Sequence, residues 1–136
     1  MNTEQVLKWG IASAGLISGD FCLALLSLES KYHELVAVSA RNLNDAKNFA
    51  ERFKMPLHFD SYGQMLESKE INIVYVGSVN LTHKEICLKA IHEGKHVLCE
   101  KPMSMNSNDQ EEVLQAAKSK GVFFMEVRFW DLNQFW

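Results

Sequence analysis

The chain has 136 residues, of which 47% are hydrophobic and 23% charged, with two prolines and a formal net charge of −3. That usage excludes disordered and collagen-like classes, and a globule of this length buries about two thirds of the surface its unfolded chain exposes. The acidic balance, without any Lys/Arg cluster, argues against nucleic acid or an acidic membrane as partner, because either needs a cationic face.

Strand-like and helix-like segments alternate from there on. Residues 6–11 read as a short apolar strand and residues 16–28 as a helix apolar around much of its surface, weakened slightly by Gly19. "ELVAVSA", residues 34–40, is a brief β-branched strand. In residues 44–53, Ala46, Phe49, Ala50 and Phe53 fall at i, i+3, i+4 and i+7, which makes one helical stripe. "LHF" is a minimal third strand, and Ser61 with Gln64 has capping-box spacing before a short helix.

"INIVYVGS", residues 71–78, is the strongest strand pattern and is expected to be central and buried. Thr82 and Glu85 repeat the capping spacing before a helix through Ile86, Ala90 and Ile91, which Gly94 stops. "KHVLCE" is a fifth strand. Ser107 and Gln110 are expected to cap a last helix through Val113, Leu114 and Ala117, which Gly121 ends before a sixth strand at residues 122–127. This alternation predicts an α/β fold, a doubly wound parallel sheet of six strands in the order 3-2-1-4-5-6, over residues 1–127.

Cys22, Cys87 and Cys99 are odd in number, lack Cys-x-x-Cys spacing and sit in apolar runs, so they read as buried thiols of a reducing compartment. The N-terminus carries Glu4 and no long apolar core, and no apolar run is long enough for a bilayer span. A cytoplasmic location is the expectation.

The chemistry starts at "KWGIASAGLIS". Gly10 and Gly15 have the glycine spacing of both a P-loop and a dinucleotide fingerprint. A P-loop needs Lys and Ser/Thr after its second glycine, and Leu16 and Ile17 stand there instead. The dinucleotide reading wants a glycine at a tight turn, a small residue where backbone approaches a pyrophosphate, and a glycine where helix meets strand; Gly10, Ala12 and Gly15 fill those roles. Ala12 departs from the usual glycine. The phosphates would rest on the N-terminus of the following helix, with the Ser13 hydroxyl as a further donor. A plain strand-to-helix turn is the alternative.

An NAD-preferring site carries Asp or Glu at the end of the second strand. Here "VSARN" presents Ser39, Arg41 and Asn42, and no acid follows until Asp45, so NADP is favoured over NAD unless Arg41 is only a solvated surface residue. In "GKHVLCEKPM", Glu100, Lys101 and Pro102 follow the fifth strand, at the sheet edge where such folds bind ligands. Pro102 restrains Lys101, whose ammonium beside a nicotinamide could hydrogen-bond a substrate hydroxyl and help draw its proton, the more so if desolvated. Taken alone, a lysine there is more often a surface charge.

Together "GIASAGLIS", "AVSARN", "VYVGSVNLTHKEICLKAI" and "GKHVLCEKPM" resemble the glucose-fructose oxidoreductase and inositol dehydrogenase (Gfo/Idh/MocA) family, over residues 7 to about 126. The resemblance implies hydride transfer from a trans-dihydrodiol or an aldose such as D-xylose to NADP. It implies that Gly10, Ala12, Ser13, Gly15, Leu16 and Ile17 hold the pyrophosphate and that Arg41 and Asn42 meet the 2′-phosphate. Gly77, Ser78 and Asn80 would line the middle of the cofactor, and His83 would lie near the nicotinamide ribose or else be a neutral histidine of the capping turn. Glu100 and Lys101 match the family's Glu-Lys-Pro, with Lys101 catalytic, whereas Leu81 stands where the family often has Pro.

Family members continue into a second domain that closes the substrate pocket and makes a homodimer. Here "VRFWDLNQFW" departs from the pattern, so the expectation is a truncated or alternatively spliced product, possible as a monomer, with residues 128–136 a divergent tail exposing Phe129, Trp130, Phe135 and Trp136. An NADP-dependent dehydrogenase domain and a non-catalytic nucleotide-binding or regulatory isoform are the two functional readings. A Rossmann methyltransferase is disfavoured by the missing acid and by the Glu-Lys-Pro segment.

Overall fold

The computed structural model describes residues 5–104 and 106–127. In chain order the elements are β1 (Leu7–Ala12), α1 (Leu16–Leu26), β2 (His33–Ser39), α2 (Leu43–Phe53), β3 (Leu57–Phe59), α3 (Tyr62–Glu67), β4 (Ile73–Val76), α4 (Asn80–His92), β5 (His96–Glu100), α5 (Ser107–Lys120) and β6 (Phe124–Val127). The strands form one sheet in the order β3-β2-β1-β4-β5-β6, and every neighbouring pair is parallel. That is the arrangement the alternation predicts.

Strand periodicity divides the core between the two faces of the sheet. Trp9 and Ile11 of β1, Ile73 and Tyr75 of β4 and Leu98 of β5 pack with Phe21, Cys22 and Leu25 of α1 and with the α2 stripe Ala46, Phe49, Ala50 and Phe53. Their neighbours Ala12, Val74, Val76, Val97 and Cys99 pack on the other face with Met65, Ile86, Cys87, Ile91 and Val113 from α3, α4 and α5. In β2 the alternation slips: Val36 and Ala37 face the same side, because the register with β1 shifts between Trp9 and Gly10 and leaves Val36 as the extra residue of a bulge.

Two expected caps fall elsewhere. The N-cap of α4 is Val79, without a side-chain bond, and Thr82 lies inside the first turn with its hydroxyl 2.8 Å from both Ser78 Oγ and the Val79 carbonyl. A threonine inside a helix satisfies its hydroxyl on such backward neighbours, so it is not free to cap. α5 is capped by Asn106, whose side chain accepts the Asp109 amide at 2.9 Å. Asparagine caps as well as serine, and the helix therefore starts at Ser107 itself. The stops hold: Gly94 and Gly121 take φ of +76° and +68°, the left-handed geometry glycine supplies without strain. Ser61 caps α3 by accepting the Gln64 amide. The three cysteines are buried and unpaired. Among the described residues no helix is long and apolar enough to cross a membrane. The aromatic tail at residues 128–136 lies outside the described residues.

Candidate functional site

β1 connects to β2 on one side and pairs with β4 on the other, so the chain reverses direction of travel across the sheet at β1. Loops leaving the two halves part there, and the crevice at the carboxyl ends of the strands is where open α/β sheets bind ligands. A cleft of about 250 Å³ occupies that place, lined by Ser13, Ala14 and Gly15 after β1, Ala40, Arg41 and Asp45 after β2, Tyr62 from α3, and Ser78 and Val79 after β4. Four of the residues singled out in the sequence are brought together in it: Ser13, Gly15, Arg41 and Ser78.

The two fingerprint glycines serve different ends. Gly10 is not at a turn but inside β1, and a Cβ there would lie 2.6 Å from Ile71 Cδ1 and 3.3 Å from the Met65 sulfur. Its small size is a packing requirement of the α3 face. Gly15, the N-cap of α1, has an extended backbone open to any residue, and a Cβ there would meet only the Ser13 hydroxyl, at 3.6 Å. What glycine leaves at Gly15 is an uncovered helix N-terminus: among the described residues no side chain caps α1, and the first helical bond runs from the Gly19 amide to the Gly15 carbonyl, so the amides of Leu16, Ile17 and Ser18 precede the ladder. Anions are stabilised at such an end.

Ala12 is fully buried within the sheet, so its methyl belongs to the core and not to the surface that faces the cleft. Ser13 adopts a φ of +106°, a strained value for a residue with a side chain, with its amide donating to the Ser39 carbonyl at 2.9 Å. Leu16 is 90% exposed, and Ile17 is half-buried against Gly77, where a Cβ would lie 3.4 Å from Ile17 Cγ2 and 2.6 Å from Ser18 Oγ. Gly77 thus lets the β4 loop close onto the first turn of α1. Two buried hydroxyls, Ser18 Oγ and Ser39 Oγ, lack a hydrogen-bond partner among the described residues; they sit on the first turn of α1 and at the end of β2, the elements that bound the cleft.

At the β2 end, Asn42 does not line the cleft: its side-chain oxygen caps α2, accepting the Asn44 and Asp45 amides at 2.8 and 3.3 Å. Tyr62, missed in the sequence, does line it, and burial raises its phenol pKa while the nearby Arg41 charge partly offsets this. The signal was available, since Tyr62 directly follows the Ser61 cap at the carboxyl end of β3.

Glu100, Lys101 and Pro102 lie at the neighbouring carboxyl end of β5. Lys101 is exposed, so the desolvation invoked for it is not supplied by the described residues. Its backbone is held firmly instead. The Lys101 amide donates to the Val127 carbonyl at 3.2 Å, and the Met103 amide to the Glu126 carboxylate at 2.7 Å. Glu100 is 8% exposed and accepts the Tyr75 hydroxyl at 2.8 Å, while the Tyr75 ring stacks on Phe21 with centroids 4.0 Å apart. Burial, then the charge of Glu100, push the Tyr75 phenol up, so it stays a donor.

His83 departs from both of its expected roles. It is 1% exposed, with Nδ1 2.8 Å from the Pro102 carbonyl and Nε2 2.6 Å from the Ser78 carbonyl. Carbonyl oxygens only accept, so a ring that satisfies both must carry two N–H groups. Burial opposes the charge, but the Cys99 thiol and the two carbonyls outweigh it and raise the ring to about 9. The side chain is therefore neither a surface contact for a ribose nor a neutral capping histidine. Asn80 begins α4 with its side chain exposed beside this loop.

A family model described as an oxidoreductase family with an NAD-binding Rossmann fold (GFO_IDH_MocA) matches residues 7–127. The chain belongs to this family. Among its relatives, trans-1,2-dihydrobenzene-1,2-diol dehydrogenases are 44% identical in Xenopus laevis and 43% in Mus musculus, each over 123 residues, 90% of this chain. The chain spans 37% of the length of those relatives. A solved structure of KijD10, a 3-ketoreductase from Actinomadura kijaniata in complex with NADP and TDP-benzene, superposes with a TM-score of 0.84 at 28% identity, over 90% of this chain and 37% of that one. The Gfo/Idh/MocA domain seen here is accordingly an oxidoreductase Rossmann domain for a nicotinamide cofactor.

Proposed function

We propose that this domain binds NADP along the crevice between β1 and β4 and presents Lys101 for hydride transfer between that cofactor and a trans-dihydrodiol or an aldose such as D-xylose. The observation that carries the reading is the position of Arg41, which reaches the cleft from the end of β2, across from the open N-terminus of α1. A carboxylate at that point selects ribose hydroxyls, whereas a guanidinium pairs with a 2′-phosphate.

In this reading the amides of Leu16 and Ile17 with the Ser13 hydroxyl hold the diphosphate, Arg41 with the Tyr62 hydroxyl holds the 2′-phosphate, and Ser78 and Asn80 flank the middle of the cofactor. Gly77, His83 and Glu100 act from behind, by packing and by fixing the loops. When bound, the cofactor supplies the two-electron hydride acceptor. Lys101 Nζ hydrogen-bonds the substrate hydroxyl, orients it toward the cofactor and helps to draw its proton as hydride leaves. The names of the relatives support the diol class, and the NADP complex of the 3-ketoreductase supports the cofactor.

Fluorescence titration of the chain with NADPH and NADH tests this. Arg41→Ala removes a charged partner worth about 1.5–3 kcal/mol, so NADPH affinity should fall about 10- to 100-fold while NADH affinity changes little. Equal losses for both would remove the NADP preference, and binding of neither nucleotide would remove the proposal. Binding without turnover of a dihydrodiol or D-xylose would leave the chain as a nucleotide-binding module.

A further inference from the structure

We propose that His83 is a positioning residue whose doubly protonated ring locks the loop after β4 to the Lys101 turn after β5, so that Lys101 keeps its aim only while the ring is charged. The inference rests on the function proposed above for Lys101, and its physical basis is local. Ser78 lines the cofactor cleft, Pro102 follows Lys101, and one buried ring hydrogen-bonds the carbonyls of both. No backbone bond between these two loops replaces that tie among the described residues.

The other restraints on the turn run to β6 and to the core, where the Met103 side chain is buried. Pro102 has no N–H, so the polar backbone groups held within it are the Lys101 amide on Val127, the Met103 amide on Glu126 and the Pro102 carbonyl on His83. The first two bind the turn to β6. Among the described residues the third is the hydrogen bond that ties it to the cofactor side. If the ring loses one proton, a bare nitrogen faces a carbonyl oxygen across less than van der Waals distance, and that repulsion opens one of the two contacts. The ionisable group against the ring is Cys99 on β5, which favours the ring's charge and is in turn held by Cys87 on α4; Lys101 and Glu126, the latter on the Met103 amide, stand at the turn that the ring holds.

Two measurements on the cofactor-free chain test this. Long-range 1H–15N spectra of the ring should show two protonated nitrogens at about pH 7.5, with deprotonation only near pH 9; a neutral single tautomer at pH 7.5 would overturn the inference. Amide hydrogen exchange, corrected for its intrinsic pH dependence, should then show protection of Lys101 and Met103 falling about tenfold through that same step, together with faster exchange at Ser78 and Val79. In His83→Gln the step should vanish and both loops should exchange fast at every pH, with the β1 amides unchanged. A profile without a step in the wild type would also overturn it. Because neither readout uses nucleotide, a chain that bound no NADPH would defeat the proposed function while these spectra still decided the role of the ring.

Discussion

Gly10→Ala separates the motif reading of this fold from the structural one. As a fingerprint glycine near the phosphates, Gly10 would lose cofactor on gaining a methyl and keep its stability. The structure says the reverse. The new Cβ would sit 2.6 Å from Ile71 Cδ1 and 3.3–3.4 Å from the Met65 Sδ and Cε, all in a fully buried cluster, while the cleft is lined by other residues. The methyl needs nearly an ångström of relief from Ile71, which is 2% exposed. Overpacking of this kind costs about 1–3 kcal/mol, and the clashing atoms are ends of flexible side chains, so about 1–2 kcal/mol is expected. For a domain of this size that lowers Tm by about 4–8 °C. Calorimetry and urea unfolding give the value, and NADPH titration of the folded variant should be within about twofold of wild type, less than 0.5 kcal/mol. Adding Ile71→Val removes the nearest clashing carbon, so the double variant should be no less stable than Gly10→Ala alone, although Ile→Val by itself costs about 0.5–1.5 kcal/mol. A Gly10→Ala protein with unchanged Tm and abolished binding would refute the packing argument.

Gly15→Ala should behave oppositely: its Cβ meets only the Ser13 hydroxyl at 3.6 Å, so Tm should hold within about 2 °C while nucleotide affinity drops about tenfold, as read by fluorescence titration. Tyr75→Phe keeps the ring stack on Phe21 but strips the donor from buried Glu100, and urea unfolding should show a loss of about 1.5–3 kcal/mol. His83 also sets a pH slope. Its folded pKa of about 9 lies above the ordinary histidine value of 6.5, so the native state holds the proton longer than the unfolded chain does. That stabilisation is complete below pH 6.5 and is lost as pH rises through 9, amounting to about 3 kcal/mol. His33, whose pKa burial lowers, acts in the other direction and only below its ordinary value of 6.5. Urea midpoints should therefore fall between pH 6.5 and 9 in the wild type but not in His83→Gln; a flat wild-type profile would remove the charged ring.

The local alphabet was enough for element order, sheet order and the α2 stripe, because Ala46, Phe49, Ala50 and Phe53 can share a face only in a helix and consecutive β-α units can wind only one way. It was enough too for the candidate cleft to be sought after β1 and β2, since Ser13, Gly15 and Arg41 stand at strand ends whose positions follow from that order. Tertiary structure alone decided what each residue does there. Gly10 is small because Ile71, sixty-one positions on, leaves it no room, and His83 is charged because two carbonyls from different loops converge on one ring. Asn42 looks like a phosphate donor in isolation and becomes a helix cap once α2 begins beside it. Patterns of period two or three and a half read neighbours along the chain; a clash, a ring held between two loops or a buried carboxylate depends on groups far apart in sequence, which no local pattern encodes.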